Sequence, residues 1–298
     1  MDASILKYQA FVETARLGSL TRAAEQMGYS QSGVSRMIAD LERDWEVTLF
    51  NRGRRGITLT PDGERILPVA QRLCSEYHLL EERVGEIRGL QTGAVRIGTV
   101  SSVATYILPR VLGDLQRQHP HVDYELLLGD YDQIERWVDS GRVDVGFLPY
   151  EPGAGIERAA IDRDELVAVV PRGHELAAHD SVTLRELARG PFLMLEQESA
   201  GMVPRLFKRA RLSPNVWLRT WDDYAIMALV EAGLGVSILP SLILSRCPFD
   251  VAILPLEPRA YRDIYVTYRP QAELSRATRD FLRHLGQSLG DAGERSEG

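Results

Sequence analysis

Apolar side chains recur at Ile66, Ala70, Leu73, Tyr77, Leu80, Val84 and Ile87, in steps of four, three, four, three, four and three residues. That 3.5-residue period is the pattern of a coiled-coil seam rather than of a helix sunk in a globular core. Thr60-Pro61 marks its start, a capping side chain followed by proline at the first helical position. A helix over 61–89 would be about 40 Å long. It reads as a linker and dimer interface, and it divides the chain into a part before it and a part after it. Pro68 falls in its early turns, where the missing N–H should bend or disturb them.

The part before it is helical with short breaks. Ile5, Tyr8, Phe11, Val12 and Ala15 form one stripe that Gly18 stops, and Ser19 or Thr21 can cap a second short helix closed by Gly28. Ser30 can cap a third, with Val34, Ile38 and Leu41 on one face. The stretch from Phe50 to Leu59 reads as a hairpin punctuated by Gly53 and Gly56.

The part after it alternates strand-like and helical runs. Strands are expected over 95–100, 122–128, 143–148, 165–170, 192–195, 216–219, 236–239 and 264–268, with helices over 104–118, 131–140, 201–211 and 223–232. Such alternation predicts an α/β domain with largely parallel sheets. The polar, Gly-rich residues 291–298 read as a disordered tail.

The net charge of −7 argues at first against a nucleic-acid partner. Residues 1–60, however, carry eight Lys/Arg and seven Asp/Glu, so the acidity lies in the rest of the chain. Screening over about 8–10 Å leaves a docked N-terminal module free of it. No apolar run reaches the roughly 18 residues of a membrane span, and the first residues lack the basic and apolar regions of a signal peptide. Two cysteines, Cys74 and Cys247, make no disulfide framework or zinc motif. The expectation is a cytoplasmic chain with no metal and no cofactor.

Ala23-Ala24 puts small residues where two helices must approach closely, Gly28 fits the tight turn, and Val34 and Ile38 lock the third helix onto the first pair. Gln31, Ser32, Ser35 and Arg36 then project from the start of that helix with no apolar role. In a helix-turn-helix these are the positions that meet base edges in the major groove. Arg36 suits a guanine and Gln31 an adenine. The same spacing also fits a plain three-helix bundle with a solvated polar face.

The chain resembles the LysR-type transcriptional regulators, and the resemblance is carried by many residues in order. They are Phe11, Gly18-Ser19-Leu20, Ala23-Ala24, Ser30-Gln31, Val34-Ser35-Arg36, Leu41-Glu42, Leu49-Phe50-Asn51-Arg52 and Leu59-Thr60-Pro61-Asp62-Gly63. Leu108-Pro109, Pro120, Asp144-Val145-Gly146-Phe147 and the run from Gly233 to Pro240 extend it over nearly the whole chain. Two departures stand out. Ser32-Gly33 replaces the family's usual Pro-Ala, and Trp45-Glu46 replaces Leu-Gly where an αL helix end is common.

The resemblance implies an α+β multidomain protein: a winged helix-turn-helix over 1–60, a linker helix over 61–92, and an effector domain of two Rossmann-like subdomains, type II periplasmic-binding-protein-like. Subdomain I would take 93–161 and 266–290, and subdomain II 162–265. Arg52, Arg54 and Arg55 would sit in the wing against phosphates, where guanidinium positions the protein without reading sequence. The implied partners are double-stranded promoter DNA, a small-molecule effector, and further copies of the chain as a dimer and tetramer. Loops at the carboxyl ends of strands are where such sheets bind ligands, so Ser101, Ser102, Asp130, Phe147, Glu198, Ser199, Trp221 and Asp222 are the candidate effector contacts. Acidic groups there would favour a neutral or cationic effector.

Enzyme signatures are missing from the sequence. Gly233-Leu234-Gly235 lacks the third glycine of a dinucleotide fingerprint and lies between a helix and a strand, the wrong order. No Walker loop occurs. An α/β enzyme or solute-binding domain with a helical oligomerisation segment remains the alternative to a regulator.

Overall fold

The computed structural model describes residues 4–53, 56–88, 93–150, 155–195 and 201–296. The chain forms two compact units, one chiefly of residues 1–93 and the other of most of the remainder.

The first unit contains α1 (Ile5–Leu17), α2 (Leu20–Met27), α3 (Gln31–Trp45), a hairpin of β1 (Phe50–Gly53) and β2 (Gly56–Leu59), and α4 (Pro61–Ile87). Gly18 and Gly28 end α1 and α2 in the left-handed region, at φ 62° and 72°, which only a residue without Cβ enters freely. Ser19, not Thr21, caps α2, accepting from the Arg22 N–H at 3.3 Å. Phe11, Ala23, Ala24, Val34, Ile38, Leu49 and Phe50 close one core, in which the two alanines bring α2 against its neighbours. Helix α3 ends at Trp45, and Glu46 takes up the αL position at φ 57° without glycine's freedom.

Helix α4 runs through Pro68 unbroken. The expected disturbance is absent because the flanking Ile66, Leu67 and Ala70 pack on the N-terminal core, which offsets one lost backbone bond. That packing also corrects the expected seam. Ala70 is buried within its own chain, at 4% exposure, and Ile66 is partly buried there. Leu73, Leu80, Val84 and Ile87 remain exposed, and Tyr77 half-buried.

The second unit opens with β3 (Gly93–Thr99), α5 (Ser101–Tyr106), α6 (Leu108–Gln118), β4 (Val122–Leu128), α7 (Tyr131–Asp139) and β5 (Val145–Leu148). Then follow β6 (Glu157–Pro171), β7 (Val182–Thr183), α8 (Leu184–Leu187), β8 (Pro191–Leu195), α9 (Met202–Arg209), β9 (Asn215–Thr220), α10 (Asp223–Glu231), β10 (Ser237–Pro240) and α11 (Ser241–Leu244). The long β11 (Val251–Tyr268) and α12 (Arg276–Ser296) complete it.

One sheet runs β10-β6-β11-β5-β3-β4, with β7 beside β11, and a second pairs β8 with β9. Strands β6 and β11 pair antiparallel along their length and pass from one lobe into the other, with a register shift between Pro255 and Ala260. Lobe I gathers β3 to β5 and α5 to α7. Lobe II gathers β7 to β10 and α8 to α11.

The expectation of largely parallel sheets is therefore corrected. Strand β3 pairs parallel with β5, β8 with β9 and β7 with β11, but β6 pairs antiparallel with β10 and β11, and β11 antiparallel with β5. The second half of β6 is apolar on both faces: Leu166, Ala168 and Val170 enter one core of lobe II, Val167 and Val169 the other. The helix expected over 104–118 is two, because Pro109 has no N–H to continue α5 and instead starts α6. The tail expected to be disordered is helical as far as Ser296.

Candidate functional site: recognition helix, wing and cleft

Ser30 caps α3, its hydroxyl accepting from the Gly33 N–H at 3.1 Å and lying 3.1 Å from the Ser32 hydroxyl. A Cβ on residue 33 would sit 3.2 Å from that Ser30 oxygen, so the glycine leaves the cap its room. With Val34, Ile38 and Leu41 buried, the opposite edge is fixed outward: Gln31, Ser32 and Arg36 are exposed and Ser35 half-buried. All four predicted recognition residues thus share the open end of one helix.

The wing is tied to the same helix by a residue to which the sequence assigned no role. Glu42 Oε1 accepts the backbone N–H groups of Leu49 at 2.8 Å and Phe50 at 3.2 Å, and its Oε2 lies 3.7 Å from Arg52 Nη2. Glu42 follows Leu41 in the family-like pattern, and that was its only signal. Arg52 is exposed on β1, opposite Ile57 and one pair from the Gly53–Gly56 end of the hairpin; Arg54 and Arg55 lie outside the described residues. At the far side Thr60 caps α4, accepting from the Gly63 N–H at 3.0 Å and donating to the Thr48 carbonyl at 2.6 Å.

In the second unit the cleft between the lobes brings Ser101, Asp130 and Trp221 around one cavity of about 50 Å³, together with Val100, Leu128, Gly129 and Tyr131. The remaining expected contacts divide otherwise. Phe147 is buried in β5, 1% exposed, because both faces of that strand are covered. Asp222 caps α10, accepting from the N–H groups of Tyr224 and Ala225 at 2.9 and 3.2 Å. Asp130 caps α7 by accepting from the Gln133 N–H at 2.6 Å while still bordering the cavity. Ser102 is buried and bonded to Arg262 Nη2 at 2.7 Å. Glu198 and Ser199 lie outside the described residues.

Beneath the cavity lies a polar cluster that sequence reasoning missed. Arg262 and Asp164 form a buried ion pair, Nε to Oδ2 at 2.8 Å, and Arg262 Nη1 donates to the Tyr131 hydroxyl at 3.1 Å. Beside them Asp223 is buried at the start of α10; burial raises its carboxyl pKa, against the Ser101 hydroxyl bond and the Arg262 charge, which lower it. Asp164 and Arg262 sit among other charged residues just before the expected strand runs, so no sequence signal marked them. Asp144, in the family-like run, has a structural role: its carboxylate accepts from the Arg96 backbone N–H at 2.7 Å and from its Nη2 at 2.8 Å. Gly146 lies so close to α7 that a Cβ would meet Val138 at 2.6 Å.

No group of side chains suited to a metal ion occurs among the described residues, and no described helix is long and apolar enough to cross a membrane.

Residues 6–64 match the family model described as the bacterial regulatory helix-turn-helix protein, lysR family, and residues 88–290 match the LysR substrate binding domain. The chain is 30% identical to the transcriptional dual regulator GltC of Bacillus subtilis, covering 96% of this chain and 97% of that one. It is 29% identical to the transcriptional activator CmpR of Synechocystis, covering 95% of each. Its fold is similar to that of full-length CbnR complexed with target DNA, with a TM-score of 0.67 at 23% identity over 96% of this chain and 100% of that one.

Proposed function

We propose, from the premise that this chain belongs to the LysR family of DNA-binding transcriptional regulators, how its parts divide that work. Gln31, Ser32, Ser35 and Arg36 read base edges, and Arg52 with Arg54 and Arg55 holds the backbone through the wing. Leu73, Tyr77, Leu80, Val84 and Ile87 form the dimer seam, and two such heads meet a roughly palindromic promoter site. A tetramer of two such dimers is the larger assembly this reading favours. The enzyme alternative gives way to the family assignment.

The cavity bordered by Ser101, Asp130 and Trp221 is the entry of the effector site. An effector that favours one arrangement of the dimer or tetramer over another shifts their populations, and with them the spacing of the DNA-binding heads.

One observation carries the reading: the Ser30-capped end of α3, whose apolar side is entirely consumed by the core while its polar edge stays open. Footprinting of the purified chain on genomic fragments tests it. A protected, roughly two-fold site with strong salt dependence is expected. Uniform, sequence-indifferent protection would reject it.

A further inference from the structure

Arg262 on β11 and Asp164 on β6 are paired across the antiparallel register of the two long strands, and both side chains are 2% exposed. Each residue also holds one lobe. Arg262 donates to the Ser102 and Tyr131 hydroxyls of lobe I, at 2.7 and 3.1 Å. Asp164 Oδ1 accepts from the Ser241 hydroxyl at 2.8 Å and the Leu242 N–H at 3.0 Å, in the first turn of α11 in lobe II. Burial makes these bonds interdependent, because a partner lost from a dry ion pair leaves an uncompensated charge. Tyr131 and Ser101 line the cavity, so the wall a ligand would meet is one bond, or one residue, from Arg262.

We propose that the Arg262–Asp164 pair is a positioning element that couples the lobe I wall of the cleft to α11 in lobe II. Neither residue lines the cavity. Displacing Tyr131 or the first turn of α5 pulls on the guanidinium, and Asp164 passes the change to the first turn of α11. A second tie joins the same elements, the Tyr106 hydroxyl donating to the Ile243 carbonyl at 3.1 Å. Tyr131 lies on α7, away from that tie, so it isolates the route through Arg262. The proposal rests on the reading of the cleft as the effector site.

Amide hydrogen exchange on the ligand-free full chain tests the coupling without any effector, so its failure is distinct from a failure of that reading. Tyr131→Phe and Ser102→Ala are near-isosteric and remove bonds in lobe I only. Exchange over residues 241–245 should accelerate about tenfold, the scale of a hydrogen bond to a charged group, with β8 and α9 of the same lobe unchanged. Arg262→Lys, which keeps the charge and loses the fork, should reproduce the effect, and Asp164→Asn should loosen residues 101–106 in the opposite lobe. Unaltered exchange over 241–245 in both lobe I variants would overturn the proposal. So would an increase spread evenly over the domain, which marks a pair that only stabilises the fold.

Discussion

A Cβ placed on Gly63 would lie 2.3 Å from the carbonyl oxygen of Leu49, so the first turn of α4 touches the backbone at the base of the wing with nothing between them. Within a helix, glycine to alanine ordinarily stabilises by about 1 kcal/mol. Here the sign reverses, because the obstacle is backbone that cannot rotate away. Gly63→Ala should destabilise the N-terminal unit by about 1–3 kcal/mol, read by denaturant unfolding, and should weaken DNA binding as the hairpin is displaced.

Glu46 offers the opposite case. Its αL conformation costs an L-residue about 1–2 kcal/mol, which glycine escapes at some entropic cost. Glu46→Gly should raise stability by about 0.5–1 kcal/mol, with operator affinity unchanged. A fall in melting temperature would contradict the assigned helix end.

On the recognition helix, Gln31→Ala and Arg36→Ala should each relax discrimination at particular bases by about 1–3 kcal/mol. Competition against operators with single base-pair changes measures this. Arg52→Ala should instead weaken binding to all sequences alike and lower the salt slope by about one.

The seam and the core separate at neighbouring heptad positions. Leu73→Asp places a charge on an exposed seam residue and should yield folded monomers by light scattering. Ala70→Asp buries an unpaired charge in the N-terminal core and should unfold that unit. A persistent dimer for Leu73→Asp would count against the interface.

Burial pushes the Cys74 thiol up to about 11, with Glu13 adding to the effect, from 9.0 for a free thiol. Below pH 9 both folded and unfolded chains carry the protonated form. Between about 9 and 11 only the unfolded chain ionises, so stability should fall as pH rises through that window. At pH 8, a disulfide reagent should label Cys74 only on unfolding, as followed by mass spectrometry.

Much of the N-terminal unit was legible because its signals are local. Caps at Ser19 and Ser30, left-handed glycines at 18 and 28, and helical spacing of Val34, Ile38 and Leu41 each act within a few residues. They place the recognition residues without reference to any distant part of the chain. The heptad pattern was read correctly as one long helix, but a 3.5-residue period cannot say where a helix leaves its own core. Only the packing of α4 against α1 showed that Ala70 belongs inside.

The cleft was less legible, for a physical reason. Ser101 and Trp221 followed from the rule that ligands lie beyond strand ends, yet the same rule selected Asp222 and Ser102, whose side chains are committed to a helix cap and to Arg262. Asp164 and Arg262 are nearly a hundred residues apart, and nothing local distinguishes them from solvated strand charges. That these runs are strands was legible from short strand-like stretches set between helical ones. The antiparallel register across two lobes was decided by tertiary structure, because pairing energy depends on what stands opposite, and that partner is absent from any local window.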